Sequence, residues 1–136
     1  MKATEAAALL TIAAAYDNRK PDADQAKAWA MALDDLRFED CRDVIVAHYK
    51  RSREWLMPVD VIGGVRRLRE KRIADYGPIE PPSNLDPDDT ASYARFVQDA
   101  RRRIADGELT TPRVDATLTR RDVASLGQIG RSVPSA

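Results

Sequence analysis

The sequence is poor in the residue types that carry chemistry. Its 136 residues include one cysteine, Cys41, and one histidine, His48. A single cysteine excludes an internal disulfide and a metal cage built from thiolates within one chain, so we expect a reducing, cytoplasmic setting. The 22 basic and 22 acidic residues cancel, so the charge of the whole chain predicts no particular partner.

Long apolar runs and phosphate-binding loops are also missing. No apolar stretch approaches the ~20 residues needed to cross a bilayer. Residues 1–16 lack the basic start and long apolar centre of a secretion signal, so we expect no membrane contact. No glycine-rich loop with its lysine is present, and the sequence therefore predicts no nucleotide hydrolysis.

The few candidates for catalysis do not form a site. Cys41 and His48 lie seven residues apart, hence two turns apart on a predicted helix, and no third group orients them. His48 is instead predicted to be a packed or hydrogen-bonded core residue. Adjacent carboxylates such as Asp34 and Asp35 diverge on a helix and are predicted to be solvated. The sequence therefore predicts a protein that is not an enzyme, with no catalytic residue, cofactor or metal site.

Apolar residues recur at helical spacing, which predicts an all-α protein with a small four-helix domain over residues 1–76. Trp29 is the largest apolar side chain in the second helix and is predicted to lie at the centre of the core. Glu39 and Asp40, which open the third helix, are predicted to face water. The four helices are expected at residues 3–16, from Asp22 onward, at 38–52 and at 58–74.

The stretch from Glu54 to Ile62 joins two helical patterns and is predicted to form a corner. Trp55 follows a polar run, so we expect its side chain to lie under the domain and cover the core. Pro58 suits the first turn of the next helix, where its missing N–H would be unpaired anyway. The pair Gly63-Gly64 costs about 1 kcal/mol per glycine relative to alanine. It predicts a close helix contact or a kink, and we favour the contact.

The second half of the chain is organised differently. Residues 77–86 form a Pro-rich linker, because proline fixes φ and removes a donor. Asp86 as N-cap and Gly107 as a stop signal then delimit an amphipathic helix at residues 87–107. Residues 108–136 are rich in Thr, Ser, Arg and Gly and are predicted to form a mostly disordered tail, flexible in solution.

The apolar stripe of the helix at 87–107 must be covered by its own domain, by a second copy or by another protein. Its spacing suits a helix that docks into a groove on a partner. A short amphipathic piece of the tail, at residues 120–126, is predicted to fold when bound. The predicted partner-binding residues are Tyr93, Phe96, Val97, Ala100, Ile104, Val123 and Leu126.

Basic residues are concentrated between Lys50 and Arg72, where eight Lys or Arg residues stand against three acids. Two helix ends joined at the corner would present them as one patch able to contact phosphates. The alternative is a solvated face neutralised by acids of the second and third helices. The candidate nucleic-acid contacts are Lys50, Arg51, Arg53, Arg66, Arg67, Arg69, Lys71 and Arg72.

A group of aromatic, aliphatic and proline residues spans the four predicted helices. It consists of Ala28-Trp29 with Leu33, Phe38-Glu39-Asp40, the run from Val44 to Tyr49 with His48 inside it, and Trp55-Leu56-Met57-Pro58 followed by Ile62. Over roughly residues 1–72 this arrangement resembles the bacteriophage replicative-helicase loader and inhibitor family. The matching residues in structural positions are Trp29, Leu33, Phe38, Trp55, Pro58 and Ile62.

This resemblance implies a non-enzymatic adaptor for DNA replication initiation. Such proteins have a compact helical amino-terminal domain and a flexible region that binds the hexameric DNA helicase. They hold its ATPase in check and deliver it to single-stranded DNA through an origin-binding initiator protein. Two other hypotheses stay open: a DNA-binding regulator that uses the basic helix at residues 58–74, and a homo-oligomeric protein-interaction module.

Overall fold

The computed structural model of the chain describes residues 1–110, of which 67% are helical, and this range contains no strand. The predicted all-α class is therefore confirmed for these residues. No helix within the range combines the length and apolarity that crossing a membrane requires. Val123 and Leu126 lie outside the described residues. The helices are α1 (Ala3–Asp17), α2 (Ala23–Ala32), α3 (Phe38–Arg51), α4 (Pro58–Tyr76) and α5 (Thr90–Ala105).

The chain divides into two compact units, and the division falls inside α4. The first unit is Met1–Lys71, and the second begins at Arg72. The sequence had placed the end of the first domain slightly later, at Tyr76.

The core of the first unit is built around α1, which packs against both α2 and α3. Leu9 and Leu10 of α1 are completely buried, and Trp29 of α2 is buried as predicted. Full burial of a Leu or Ile side chain contributes about 1.5–3 kcal/mol relative to exposure, so these few large side chains dominate the stability of a core that is otherwise rich in alanine. The other large, fully buried aliphatic residues of this unit are Leu33, Ile45, Leu56, Val61 and Val65.

The helix ends follow local sequence chemistry. The Asp22 carboxylate accepts a hydrogen bond from the Gln25 N–H at 2.7 Å, which confirms its predicted role at the start of α2. Gly107 follows α5 with φ of 79°, in the left-handed region that glycine adopts at little cost, and it confirms the predicted stop.

The start of α5 differs from the prediction. Asp89, not Asp86, is the N-cap, because its two carboxylate oxygens accept from the Ser92 N–H at 3.1 Å and the Ser92 hydroxyl at 2.6 Å. Asp86 instead accepts from the Asp88 N–H at 2.9 Å, within the preceding turn.

Gly64 marks the close approach of α3 and α4. A Cβ atom added to Gly64 would lie 2.4 Å from Cγ1 of Val44, far inside van der Waals contact, whereas a Cβ on Gly63 would meet only the end of the Arg67 side chain, at 3.4 Å. The prediction of a close helix contact at this pair is confirmed, and it applies to Gly64 alone.

Asp40 is a correction to the sequence analysis. It is 2% exposed rather than facing water. Asp40 and Val44 are four residues apart and so share one face of α3. Because Val44 packs in the core, Asp40 is carried inward with it.

Candidate functional site

Trp55 lies at the surface, with 60% of its area exposed, so the prediction that it covers the core is wrong. Leu56 is buried in its place. Residues 53–57 form no helix, and of these two neighbours it is Leu56 that faces inward.

Arg19 lies beneath Trp55, and the sequence analysis did not single it out. Its guanidinium carbon is 4.9 Å from the ring centroid of Trp55 and 5.5 Å from that of Trp29. Arginine stacks on aromatic faces and is attracted by their quadrupole. The Trp55 side chain is thus exposed to solvent while its ring also stacks on the Arg19 guanidinium. No periodicity in the sequence signals this placement.

The Arg19 guanidinium is also held by hydrogen bonds. It forms an ion pair with Asp17 (Nη2 to Oδ2, 2.5 Å) in which both side chains are buried. Its Nη2 also donates to the Leu56 carbonyl at 2.9 Å. The Tyr49 hydroxyl donates to Asp17 and accepts from the Leu56 N–H, the latter at 3.2 Å. We call Asp17, Arg19 and Tyr49, with the two tryptophans, the Arg19 cluster. It holds both backbone polar groups of Leu56, the N–H and the carbonyl.

Asp17 and Tyr49 of the Arg19 cluster each favour one protonation state near neutral pH. Burial acts to raise the pKa of Asp17, but hydrogen bonds from Arg19 and Tyr49 outweigh it and the pKa is lowered. Burial raises the pKa of Tyr49, and its hydrogen bond to Asp17 raises it further. A general acid or base works best with a pKa near the operating pH. Both groups are moved away from neutrality, so the cluster is suited to holding structure.

His48 forms a hydrogen bond, as the sequence analysis expected, but it is half-buried and is not a core residue. Its Nε2 lies 2.7 Å from the Glu54 carbonyl oxygen, and since a carbonyl can only accept, Nε2 is the donor. Its ring packs edge-on against Tyr49 with centroids 4.8 Å apart. His48 is therefore used in holding the connection between α3 and α4.

Three apolar side chains project from this connection and from the first turn of α4. Trp55, Met57 and Val59 are 60%, 52% and 71% exposed. We call these three residues the corner surface. Trp55 and Met57 stand on either side of the buried Leu56 in the sequence, and Val59 follows two residues later. The Arg19 cluster holds the backbone of Leu56. Large apolar groups on a fixed backbone are typical of protein interfaces.

A groove runs between α3 and α4 within the first unit. Its larger part, about 520 Å³, has an apolar floor of Val44, Ala47, Gly64 and Leu68. A smaller part, about 220 Å³, extends it toward Leu56 and Val59 beside the corner surface. We call the two parts together the α3–α4 groove. Its charged and polar lining consists of Asp43, His48, Arg51, Asp60, Arg67 and Lys71.

The structure brings together three of the eight predicted nucleic-acid contacts, Arg51, Arg67 and Lys71, on the α3–α4 groove. Arg72 belongs to the second unit, where its Nη1 donates to the Ala105 carbonyl at 2.8 Å. Arg69 is half-buried. Lys50, Arg53 and Arg66 are exposed and do not line the groove.

The apolar stripe predicted to bind a partner is unevenly accessible along α5. Tyr93 is 42% exposed, Phe96 and Val97 are half-buried, and Ala100 and Ile104 are buried. Only the amino-terminal part of the stripe is therefore available as a surface.

No family model, curated protein or solved structure matches this chain. Within residues 1–110, no group of three or more His, Cys, Asp or Glu side chains is arranged to hold a metal ion. Burial, with a smaller contribution from Asp40, raises the pKa of the Cys41 thiol to about 12. Cys41 is thus a core residue.

Proposed function

We propose that this protein is a non-enzymatic adaptor that binds another protein through the corner surface. The observation that carries the proposal is the exposure of Trp55, Met57 and Val59 on a backbone that the Arg19 cluster already holds. Tryptophan and methionine are enriched at protein interfaces. A surface ordered before binding loses less conformational entropy when the partner arrives.

The resemblance to phage helicase loaders makes a hexameric replicative helicase the first partner to test. In that role the adaptor loads or inhibits the helicase at replication initiation, with an origin-binding initiator as a further partner. The accessible part of the α5 stripe, at Tyr93, Phe96 and Val97, provides a second contact of the helix-in-groove type.

Two methionines offer a matched test of the corner surface. Met57→Ala removes an apolar group from it, whereas Met31→Ala removes an equally large and even more exposed group (79%) from α2. If Met57 is a central contact, its loss weakens binding by about 2 kcal/mol, or roughly thirtyfold in Kd. Binding of the purified full chain to the host's replicative helicase is measured by surface plasmon resonance.

The expected result is a large effect of Met57→Ala and none of Met31→Ala. Equal affinities for the two variants contradict the assignment of the corner surface. The double variant Tyr93→Ala with Phe96→Ala is measured beside them. If it alone abolishes binding, the contact lies on α5 and not at the corner.

A second candidate function, DNA binding, is favoured by the convergence of Arg51, Arg67 and Lys71 on one groove. A salt titration on plain duplex DNA tests it. Each phosphate neutralised adds about −0.9 to the slope of log affinity against log salt concentration. A protein adaptor without DNA function shows little binding at any salt concentration.

A further inference from the structure

The α3–α4 groove has the dimensions of a short helix. Its lining residues on α4 and just before it run from Leu56 to Lys71, and those from Val59 to Lys71 span twelve residue steps. At 1.5 Å per residue this is about 18 Å, or a little over three helical turns. The floor of Val44, Ala47 and Leu68 presents carbon atoms in the larger part of the groove. An occupant of about twelve helical residues would cover it.

Positive charge dominates the border of the groove, which we call its rim. Arg51 and Arg67 border both parts of the groove, both are exposed, and within residues 1–110 neither side chain is taken up by an ion pair. The lining contains three cations, Arg51, Arg67 and Lys71, against two acids. Of these acids, Asp43 is paired with Arg42 outside the groove (Oδ1 accepts at 3.1 Å), and Asp60 Oδ2 accepts from the Met57 N–H at 2.9 Å. Charge complementarity therefore favours an acidic occupant.

The apolar floor distinguishes a peptide from a nucleic acid. A phosphate backbone has no group that covers Val44, Ala47 and Leu68. Proteins that bind single strands stack the bases on aromatic side chains, and no Phe, Tyr or Trp lines the groove. A second copy's α5 is a poor occupant as well, because it carries four arginines, Arg95 and the run from Arg101 to Arg103, against a single acid, Asp99.

We propose that the α3–α4 groove binds an acidic amphipathic helix of a partner protein. Apolar side chains at i, i+4 and i+7 of that helix cover the floor, and flanking carboxylates pair with Arg51 and Arg67. The inference rests on the proposed adaptor function and deepens it, since it names the chemistry of the segment that the partner contributes.

The probe is a fluorescein-labelled synthetic helix of about 14 residues, with leucines on one face and glutamates beside them. Its control has the same composition with the leucines spread around the helix. Fluorescence anisotropy with the full chain gives both affinities. We expect binding of the amphipathic peptide and at least a tenfold weaker interaction with the control.

Paired variants assign the binding to the groove. Arg51→Glu with Arg67→Glu reverses two rim charges, and Arg53→Glu with Arg66→Glu makes the same change in net charge at exposed positions outside the groove. We expect the first pair to raise Kd about tenfold or more and the second to change it by less than about twofold. Ala47→Trp fills the floor from an exposed position and is expected to weaken peptide binding similarly.

Four outcomes overturn the inference. They are equal affinity for the two peptides, equal effects of the two charge pairs, tighter binding of a 15-nucleotide oligo-dT that the rim variants abolish, and self-association in light scattering that Ala47→Trp removes.

Met57 does not line the groove, so it separates this inference from the proposed function. If the peptide does not bind but Met57→Ala weakens helicase binding, only the groove inference is wrong. If the peptide binds but Met57→Ala leaves helicase binding unchanged, only the corner-surface proposal is wrong.

Discussion

Replacing the two adjacent glycines of α4 by alanine, one at a time, should change stability in opposite directions. Both lie in the helix interior, so each substitution gains about 1 kcal/mol of helix propensity. At Gly63 the new methyl group meets only the Arg67 Nη1, at 3.4 Å, and that flexible end can move. Gly63→Ala should therefore stabilise the protein by about 0.5–1 kcal/mol.

At Gly64 the same methyl group has no room. It would lie 2.4 Å from Cγ1 and 3.2 Å from Cγ2 of Val44. Val44 is β-branched, with one strongly preferred rotamer in a helix, so its side chain cannot turn aside cheaply. Overpacking of this kind costs about 1–3 kcal/mol. Since the helix term is common to both variants, this clash is the predicted difference in unfolding free energy between them.

Urea unfolding followed by circular dichroism measures that difference. With a slope of about 1–3 kcal/mol per molar urea for a small protein, the midpoints of the two variants should differ by roughly 1 M. Val44→Ala should partly rescue Gly64→Ala, which a double-mutant cycle detects as a favourable coupling energy. If Gly64→Ala proves as stable as Gly63→Ala, α3 and α4 do not approach as described, and the α3–α4 groove loses its geometry.

Two further predictions concern buried ionisable groups. The pKa of Asp17 is lower in the folded state, so the ionised carboxylate stabilises the fold above the unfolded pKa near 4, and this stabilisation is lost as pH falls through the lower folded value. Asp17→Asn should therefore flatten the acid side of a curve of unfolding free energy against pH. An equally large flattening in the exposed control Asp35→Asn would contradict this. Burial raises the pKa of Cys41 to about 12, so dithionitrobenzoate should label it only as urea unfolds the chain, and rapid labelling in native buffer would show the reasoning to be wrong.

The sequence by itself determined the features that depend on neighbouring residues. Helical spacing of apolar residues predicted an all-α chain and the burial of Trp29. The chemistry of caps located the start of α2 at Asp22 and the stop after α5 at Gly107. The glycine pair in α4 indicated a close contact before any partner was known. These signals lie within one or two helical turns, so they can be read from the chain alone.

Only the tertiary structure decided which side chains meet across long sequence separations. Arg19 contacts Tyr49 and Leu56, which are 30 and 37 residues away. That contact reverses the expected position of Trp55 and creates the corner surface. Arg51 and Arg67 likewise share a groove because α3 and α4 pack at Gly64. The physical reason is that local propensity fixes how each helix forms, whereas the crossing of helices distant in sequence fixes which charges and rings become neighbours.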